Sequence, residues 1–296
     1  MRIAVVITTY NRPDALAAVL DGYAAQEDAG FELVVADDGS TDETRKLIEA
    51  YRERAGVPLQ HVWQEDRGFR AGAARNRAVA ATDAEYVMFT DGDCVPSRGF
   101  VAAHRRLAQE GHFLGGNRIL VSEALTRKVL TERLPLQDWN WTQWLRAWAA
   151  RDVNRLLPLL RLPDDGTLRR CQPRRWTGVK TANLSLWRSD FLRVNGLDEA
   201  YEGWGLEDSD LVIRLQHAGV RYKNARFSAP VFHLWHPENP RQNLARNQAR
   251  LDQVLRTREY RAARGLEQYL QAPAAAQSIF SSAVTPKVRP GRGYTA

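Results

Sequence analysis

The first ninety residues repeat one pattern, a short apolar run followed by a stretch of helical spacing, and this repetition leaves the chain few folds. Ile3-Ala4-Val5-Val6-Ile7 is apolar at every position rather than every second one, as a strand buried on both faces requires. It stops at Thr8-Thr9-Tyr10-Asn11; Pro13 suits the first turn of a helix, and Leu16, Val19, Leu20 and Tyr23 then share one face. A second strand over 31–36 ends at Asp37-Asp38-Gly39-Ser40, after which Thr41 or Asp42 caps a helix carrying Leu47, Ile48 and Tyr51. Strands over 59–64 and 86–90 follow, with a helix over 71–81 between them. Such alternation implies an α/β fold with a mainly parallel central sheet flanked by helices, whose ligands bind at the strand carboxyl ends. Thr8 to Asn11, Asp37-Asp38 and Asp91-Gly92-Asp93 are therefore expected on one rim.

After Asp93 the pattern changes to a helix over 97–110, a strand over 113–121, a strand over 181–187, a helix over 208–218 and one or two C-terminal helices over 244–269. The stretch from Arg118 to Lys180 holds 13 Lys+Arg against 6 Asp+Glu and includes Trp139, Trp141, Trp144, Trp148 and Trp176. Inside it, the proline-broken apolar run from Leu156 to Pro163 is expected to pack on the core as a loop or helical hairpin. A net charge of +7 suits an anionic partner. Basic residues among aromatics can meet RNA, glycans or a membrane interface; no RNA-binding signature accompanies them, so nucleic acid is not expected. No run approaches the ~18–20 apolar residues of a spanning helix and the start lacks a signal-peptide pattern, so a cytoplasmic location is expected, with peripheral contact at the inner membrane allowed. Cys94 and Cys171 lack metal-ligand spacing and read as packing residues.

Three constellations carry chemistry. Asp91-Gly92-Asp93 brings two carboxylates out of a strand around a glycine, an arrangement that can hold a hard divalent cation against phosphates. Gly203-Trp204-Gly205-Leu206-Glu207-Asp208 turns around a tryptophan and sets two acids at a helix mouth, where the dipole favours their ionised form. His233 and His236 are good ligands for Mn²⁺, with His233 placed ahead. Arg67, Arg70 and Arg75 surround a loop-helix junction suited to phosphate. Neither G-x-G-x-x-G nor the Walker lysine is present, which argues against a dehydrogenase or an NTPase.

Taken with Val5 to Arg12, Ala36 to Asp42 and Ala73-Ala74-Arg75-Asn76, the Asp91-Gly92-Asp93 motif resembles the family 2 glycosyltransferases. The acidic turn and His233 look like the C-terminal element of galactosyltransferases. Through Gln64 to Arg70 and His233 to Pro237, the likeness extends to bacterial enzymes of lipopolysaccharide and surface-glycan synthesis. The resemblance implies a GT-A fold, an inverting transfer from a nucleotide sugar, UDP-linked by preference, and Mn²⁺ or Mg²⁺ as cofactor. Thr8, Tyr10, Asn11, Asp38, Arg75 and Asp91 would bind the nucleotide. Asp93, His233 and Asp91 would hold the metal; Asp208 would be the base and Glu207 would orient the acceptor. Trp204 and Asn183 would line the sugar and acceptor wall. Leu206 departs from the glycine or aromatic residue often found there and leaves the sugar open.

The same resemblance divides the chain into a nucleotide-sugar half (1–116), an acceptor and base half (117–240), C-terminal helices (241–271) and a tail (272–296) read as disordered. The acceptor is a glycan, lipid-linked or other hydroxyl, with a peptide or small natural product as alternatives. A sugar-nucleotide pyrophosphorylase would need a Gly-rich phosphate loop that is missing. A non-catalytic glycan- or membrane-binding protein would explain the tryptophans without needing Asp93, Asp208 and His233 together.

Overall fold

The computed structural model describes residues 1–238 and 241–270; the expected tail over 272–296 lies outside them. The predicted alternation appears as β1 (Ile3–Thr9), α1 (Pro13–Ala24), β2 (Phe31–Asp37), α2 (Asp42–Arg52), β3 (Leu59–Trp63), α3 (Ala71–Ala80) and β4 (Tyr86–Asp91). There follow β5 (Cys94–Pro96), α4 (Phe100–Leu107), β6 (His112–Gly115), β7 (Arg118–Leu120), α5 (Glu123–Glu132) and α6 (Trp141–Ala149). The rest is β8 (Leu184–Trp187), α7 (Arg188–Arg193), α8 (Glu207–His217), β9 (Arg221–Asn224), β10 (Val231–His233), α9 (Leu244–Arg256) and α10 (Glu267–Leu270).

Seven strands form the main sheet in the order β3-β2-β1-β4-β8-β6-β9. Only β8 runs against its neighbours β4 and β6. Strands from both the 1–116 and the 117–240 stretches thus interleave in one sheet. The continuous apolar runs are explained by burial on both faces. Ile3, Val5 and Ile7 pack with Leu16, Val19 and Leu20 of α1 in one core cluster. Ala4 and Val6 face the other way, onto Ala74 and Ala78 of α3 and Leu211 and Leu215 of α8. Register places Thr9 opposite Asp37 and Thr8 opposite Asp91, so the polar ends of β1, β2 and β4 meet on one rim.

Two expected strands differ. The strand over 113–121 is split: β6 belongs to the main sheet and β7 to a three-stranded sheet in the order β5-β10-β7. The break falls where Gly116 passes the Asn183 side chain, whose amide would stand 2.3 Å from a Cβ at that position. In the strand over 181–187, residues Thr181–Asn183 form a 3-10 turn and extended structure begins at Leu184. The Trp-rich stretch folds onto the core through Trp144, which stacks on Phe232 with ring centroids 4.5 Å apart. Pro158 is buried, while Leu156 and Leu159 pack on the same cluster.

Helix α8 is pinned by a fully buried pair one turn apart. Arg214 donates from Nε to Asp210 at 2.7 Å and from Nη1 to the Val194 carbonyl at 2.8 Å. Removing one member of such a pair strands the other charge in the core. Asp210→Ala is expected to lower stability by about 3–5 kcal/mol in denaturant unfolding. A loss below about 1 kcal/mol, the range of exposed pairs, would rule out that role.

Candidate active site

The carboxyl rim of the main sheet opens into a cleft of about 400 Å³, within the size range of ligand sites. Thr8, Tyr10, Asp38, Arg75, Asp91, Asp93, Trp204, Glu207, Asp208, His233 and His236 all line it. Residues more than two hundred positions apart, Thr8 and His236, thus share one cavity.

Arg75 is the hub of the floor. It is 5% exposed and donates from Nε to the Thr8 hydroxyl at 2.9 Å and from Nη2 to Asp91 at 3.0 Å. Its Nη1 lies 3.6 Å from Glu207. A guanidinium suits this place because it stays charged and presents several donors in a rigid plane. Residues of α3 are small (Ala71, Gly72, Ala73, Ala74), so the helix lies close on the sheet and brings Arg75 to the strand ends.

The metal side depends on the small sheet. Antiparallel pairing of β10 with β5 sets His233 opposite Cys94, and the Leu234 amide donates to the Asp93 carbonyl at 2.9 Å. Nε2 of His233 is then 3.7 Å from Asp93 Oδ1, and Nε2 of His236 is 3.3 Å from Oδ2. Both histidines reach Asp93, with His236 the nearer. Nδ1 of His236 lies 2.7 Å from the Pro237 carbonyl, which holds the ring with its Nε2 facing Asp93. Burial, aided by the Arg118 charge, lowers the His233 pKa and so favours the neutral, ligand-competent imidazole. Asp91 is raised, first by burial and then by the like charges of Asp93 and Asp208, against the pull of Arg75. The His233 imidazole beside mutually repelling carboxylates, with the His236 ring also in reach of Asp93, is a donor set that fits a divalent cation of the Mn²⁺ type. Cys94 also comes within 4.8 Å of the Asp93 and His233 ligand atoms, which its sequence spacing did not suggest. Burial pushes its thiol up, keeping it protonated and consistent with packing.

The acidic turn supplies the second half. Gly203, Gly205 and Leu206 have φ of 73°, 105° and 77°. For Leu206 the left-handed region costs about 1–2 kcal/mol. The turn is held by Asn247 of α9, whose amide donates to the Glu202 and Gly205 carbonyls. It presents Trp204, over which Arg241 stacks at 4.9 Å, and starts α8 at Glu207. The Thr181 hydroxyl donates to Asp208 Oδ1 at 2.7 Å, and Lys180 Nζ lies 3.9 Å from Oδ2. The dipole argument for an ionised Glu207 is outweighed: burial, then the Asp208 charge, raises it to about 7, against the lowering effect of Arg75.

Asp38 also keeps to the cleft, accepting from the Gln64 side chain at 2.6 Å and the Arg70 amide at 2.7 Å. Burial raises it to about 6. Its neighbour Asp37 turns inward to His61 at 2.8 Å and the Ser40 amide at 2.7 Å, so the pair divides between core and site. Tyr10 is exposed, its hydroxyl donating to Asp66 at 2.9 Å.

Two expected residues do not line the cleft. Asn11 ties loops together, accepting from the Thr41 amide while its own amide donates to the Ser40 hydroxyl. Asn183 is 2% exposed and spends its side-chain amide on the Asn117 and Ala229 carbonyls; it lies outside this cleft and lines a smaller cavity beside it. Conversely, Arg12, Phe69, Arg118, Lys180 and Thr181 line the cleft without having been singled out. None belongs to an acidic or imidazole motif; Arg12 and Phe69 fall inside the quoted motifs Val5 to Arg12 and Gln64 to Arg70, and Arg118 and Lys180 bound the basic stretch, but no role had been attached to them.

A raised Glu207 has a defined effect on stability. Between the usual carboxylate range and about 7 the native state binds more protons at Glu207 than the unfolded state, so stability falls as pH rises. Glu207→Gln removes this titration. Between pH 5 and pH 8 the wild type is expected to lose more thermal stability than the variant, and parallel melting curves across that window would contradict the assignment.

The comparisons with known proteins agree with this geometry. The family model described as glycosyl transferase family 2 matches residues 4–171, and one described as the N-terminal domain of galactosyltransferase matches residues 171–237. Validoxylamine A glucosyltransferase of Streptomyces hygroscopicus subsp. jinggangensis is 34% identical over 233 residues, covering 74% of this chain and 52% of that protein. Chondroitin synthase of Escherichia coli is 25% identical over 232 residues, covering 75% and 33%. The chain spans about half or less of the length of these relatives. Among solved structures, residues 1–349 of S. aureus TarS in complex with UDP superpose with a TM-score of 0.60 at 15% identity, covering 91% of this chain and 68% of that one. With its family model, its relatives and its sheet in accord, the chain belongs to glycosyl transferase family 2 and has the GT-A fold.

Proposed function

We propose that the chain moves a hexose or N-acetylhexosamine from a UDP-sugar to an acceptor hydroxyl with inversion at the anomeric carbon. The observation that carries this reading is the meeting of Asp91, Asp93, His233 and His236 with Asp208 in one cleft. Structures of TarS with UDP and with UDP-GlcNAc support a UDP-linked donor. A mannosyltransferase from Pyrobaculum calidifontis, solved with GDP-Man and Mn²⁺, shares the fold at a TM-score of 0.55 and supports a divalent cation.

Asp93, His233 and His236, with Asp91, would hold Mn²⁺ or Mg²⁺, which supplies positive charge for the departing diphosphate. Thr8, Tyr10 and Asp38 bind the nucleotide on the rim. Asp208, its Oδ1 fixed by Thr181, takes the acceptor proton through Oδ2 while the acceptor oxygen bonds to the anomeric carbon and the bond to the diphosphate oxygen breaks. Glu207 orients the acceptor and Trp204 offers an aromatic face to a sugar. General-base assistance contributes about 10²–10⁴-fold. Asp208→Asn is therefore expected to reduce nucleotide release from UDP-sugar by at least about 10²-fold with unchanged melting temperature. Asp93→Ala should abolish metal-dependent stabilisation by UDP. Turnover surviving in both variants would refute these roles.

The acceptor we favour is a bacterial surface glycan, in line with the polysaccharide synthases among the relatives. A small natural product is the second reading, favoured by the likeness to validoxylamine A glucosyltransferase. We place the enzyme in the cytoplasm, touching the inner membrane at one helix. No helix among the described residues is long and apolar enough to cross a membrane. On α6, however, Trp141, Leu145 and Trp148 follow one another at helical spacing and are 49%, 51% and 53% exposed. Tryptophans beside basic residues suit an anionic lipid interface. Wild-type protein is expected to co-sediment with phosphatidylglycerol vesicles and the Trp141→Ala/Trp148→Ala variant to remain in solution; equal sedimentation would remove this contact.

A further inference from the structure

Beside the cleft lies a second cavity of about 100 Å³, lined by Arg118, Arg155, Arg175, Lys180 and Arg226 with no carboxylate among its walls. Two elements bring these charges together. Gly115 and Gly116 at the end of β6 line the cavity without side chains, and Arg226, just after β9, lines it as well. Among the described residues, no carboxylate oxygen lies within salt-bridge distance of Arg118, Arg155, Arg175 or Arg226. Arg155 donates to the Arg118 carbonyl at 2.9 Å, and Arg175 to the Gln172 side chain at 2.8 Å. These neutral acceptors leave the positive charge uncompensated. Partial desolvation, then the charges of Arg226 and Arg118, hold the Arg155 guanidinium below its usual range although the residue is exposed overall. Cations gathered this way repel one another until an anion enters, and guanidinium forks match phosphate oxygens in geometry and charge.

The location identifies whose anion it is. Arg118 and Lys180 line both cavities, and Lys180 Nζ is 3.9 Å from the Asp208 carboxylate. A group seated among the arginines therefore lies next to the hydroxyl that Asp208 would deprotonate, and both can belong to one molecule. We infer that the second cavity seats a phosphate group of the acceptor, so that the enzyme glycosylates phosphorylated acceptors. This rests on the reading of Asp208 as the base. It gives Arg118, Arg155, Arg175 and Lys180 of the basic stretch a place in a substrate site.

The test uses the full chain saturated with UDP and Mn²⁺, which fills the donor's diphosphate seat, and calorimetric titration with inorganic phosphate, glucose 6-phosphate and glucose. Both phosphates should bind and glucose should not. Arg155 and Arg226 line only the second cavity. In Arg155→Gln/Arg226→Gln the phosphate affinities should fall about tenfold or more, as expected for lost charge-assisted hydrogen bonds, while UDP affinity stays unchanged. Arg155→Gln alone, at an exposed position, gives the same reading should the double variant fold poorly. Phosphate affinity unchanged by these substitutions, no phosphate binding, or binding of the free ion without the sugar phosphate would each overturn the inference. Absence of UDP binding would instead count against the donor site, and the phosphate titration repeated without UDP would still read the cavity.

Discussion

The buried guanidinium of Arg75 is the interaction on which the site rests. It touches Thr8 at the end of β1, Asp91 at the end of β4 and the first residue of α8, so one side chain joins the two halves of the cleft. Asp91, Glu207 and Asp208 could not share a partly dry cavity without a compensating charge, because each raises the cost of ionising its neighbours. Arg75 lowers that cost at two of them. The small residues of α3 matter for the same reason: a bulkier helix face would lift the guanidinium from the strand ends.

Around this centre the fold divides labour between its two sheets. The seven-stranded sheet lines up Thr8, Asp38 and Asp91, where strand polarity alone brings polar loop residues to one edge. The three-stranded sheet does something different. It pairs β10 with β5 and thereby carries imidazoles from far down the chain to Asp93. The strained turn before α8 completes the arrangement, with α9 packed behind it so that Leu206 keeps its left-handed backbone. Strain at such a turn accords with a site held in one geometry.

Much of this was legible in the residues. Continuous apolar runs followed by helical spacing identified β1 to β4 and the helices between them, with strand ends within two residues, because burial on both faces favours that pattern. Asp91-Gly92-Asp93 and the turn at Trp204 stood out because acids at a strand end and at a helix mouth are chemically unusual. Asn183 and Asn11 illustrate the opposite case. Their family likeness pointed to the cleft, but neighbouring groups engage both side chains, two carbonyls and His104 at Asn183 and the Thr41 amide at Asn11. Which partner an amide finds depends on what packs beside it, and sequence spacing carries no trace of that.

The amino-acid sequence by itself determined the parallel α/β framework, the rim on which the acids gather and the family to which the chain belongs, since hydrophobic periodicity and short motifs are local properties. Tertiary structure alone decided that His236 stands as near to Asp93 as His233 does, that Glu207 is raised rather than held ionised by its helix, and that five basic side chains enclose a cavity next to Asp208. Those outcomes depend on distance and desolvation between segments remote in the chain, and the order of residues does not encode either quantity directly.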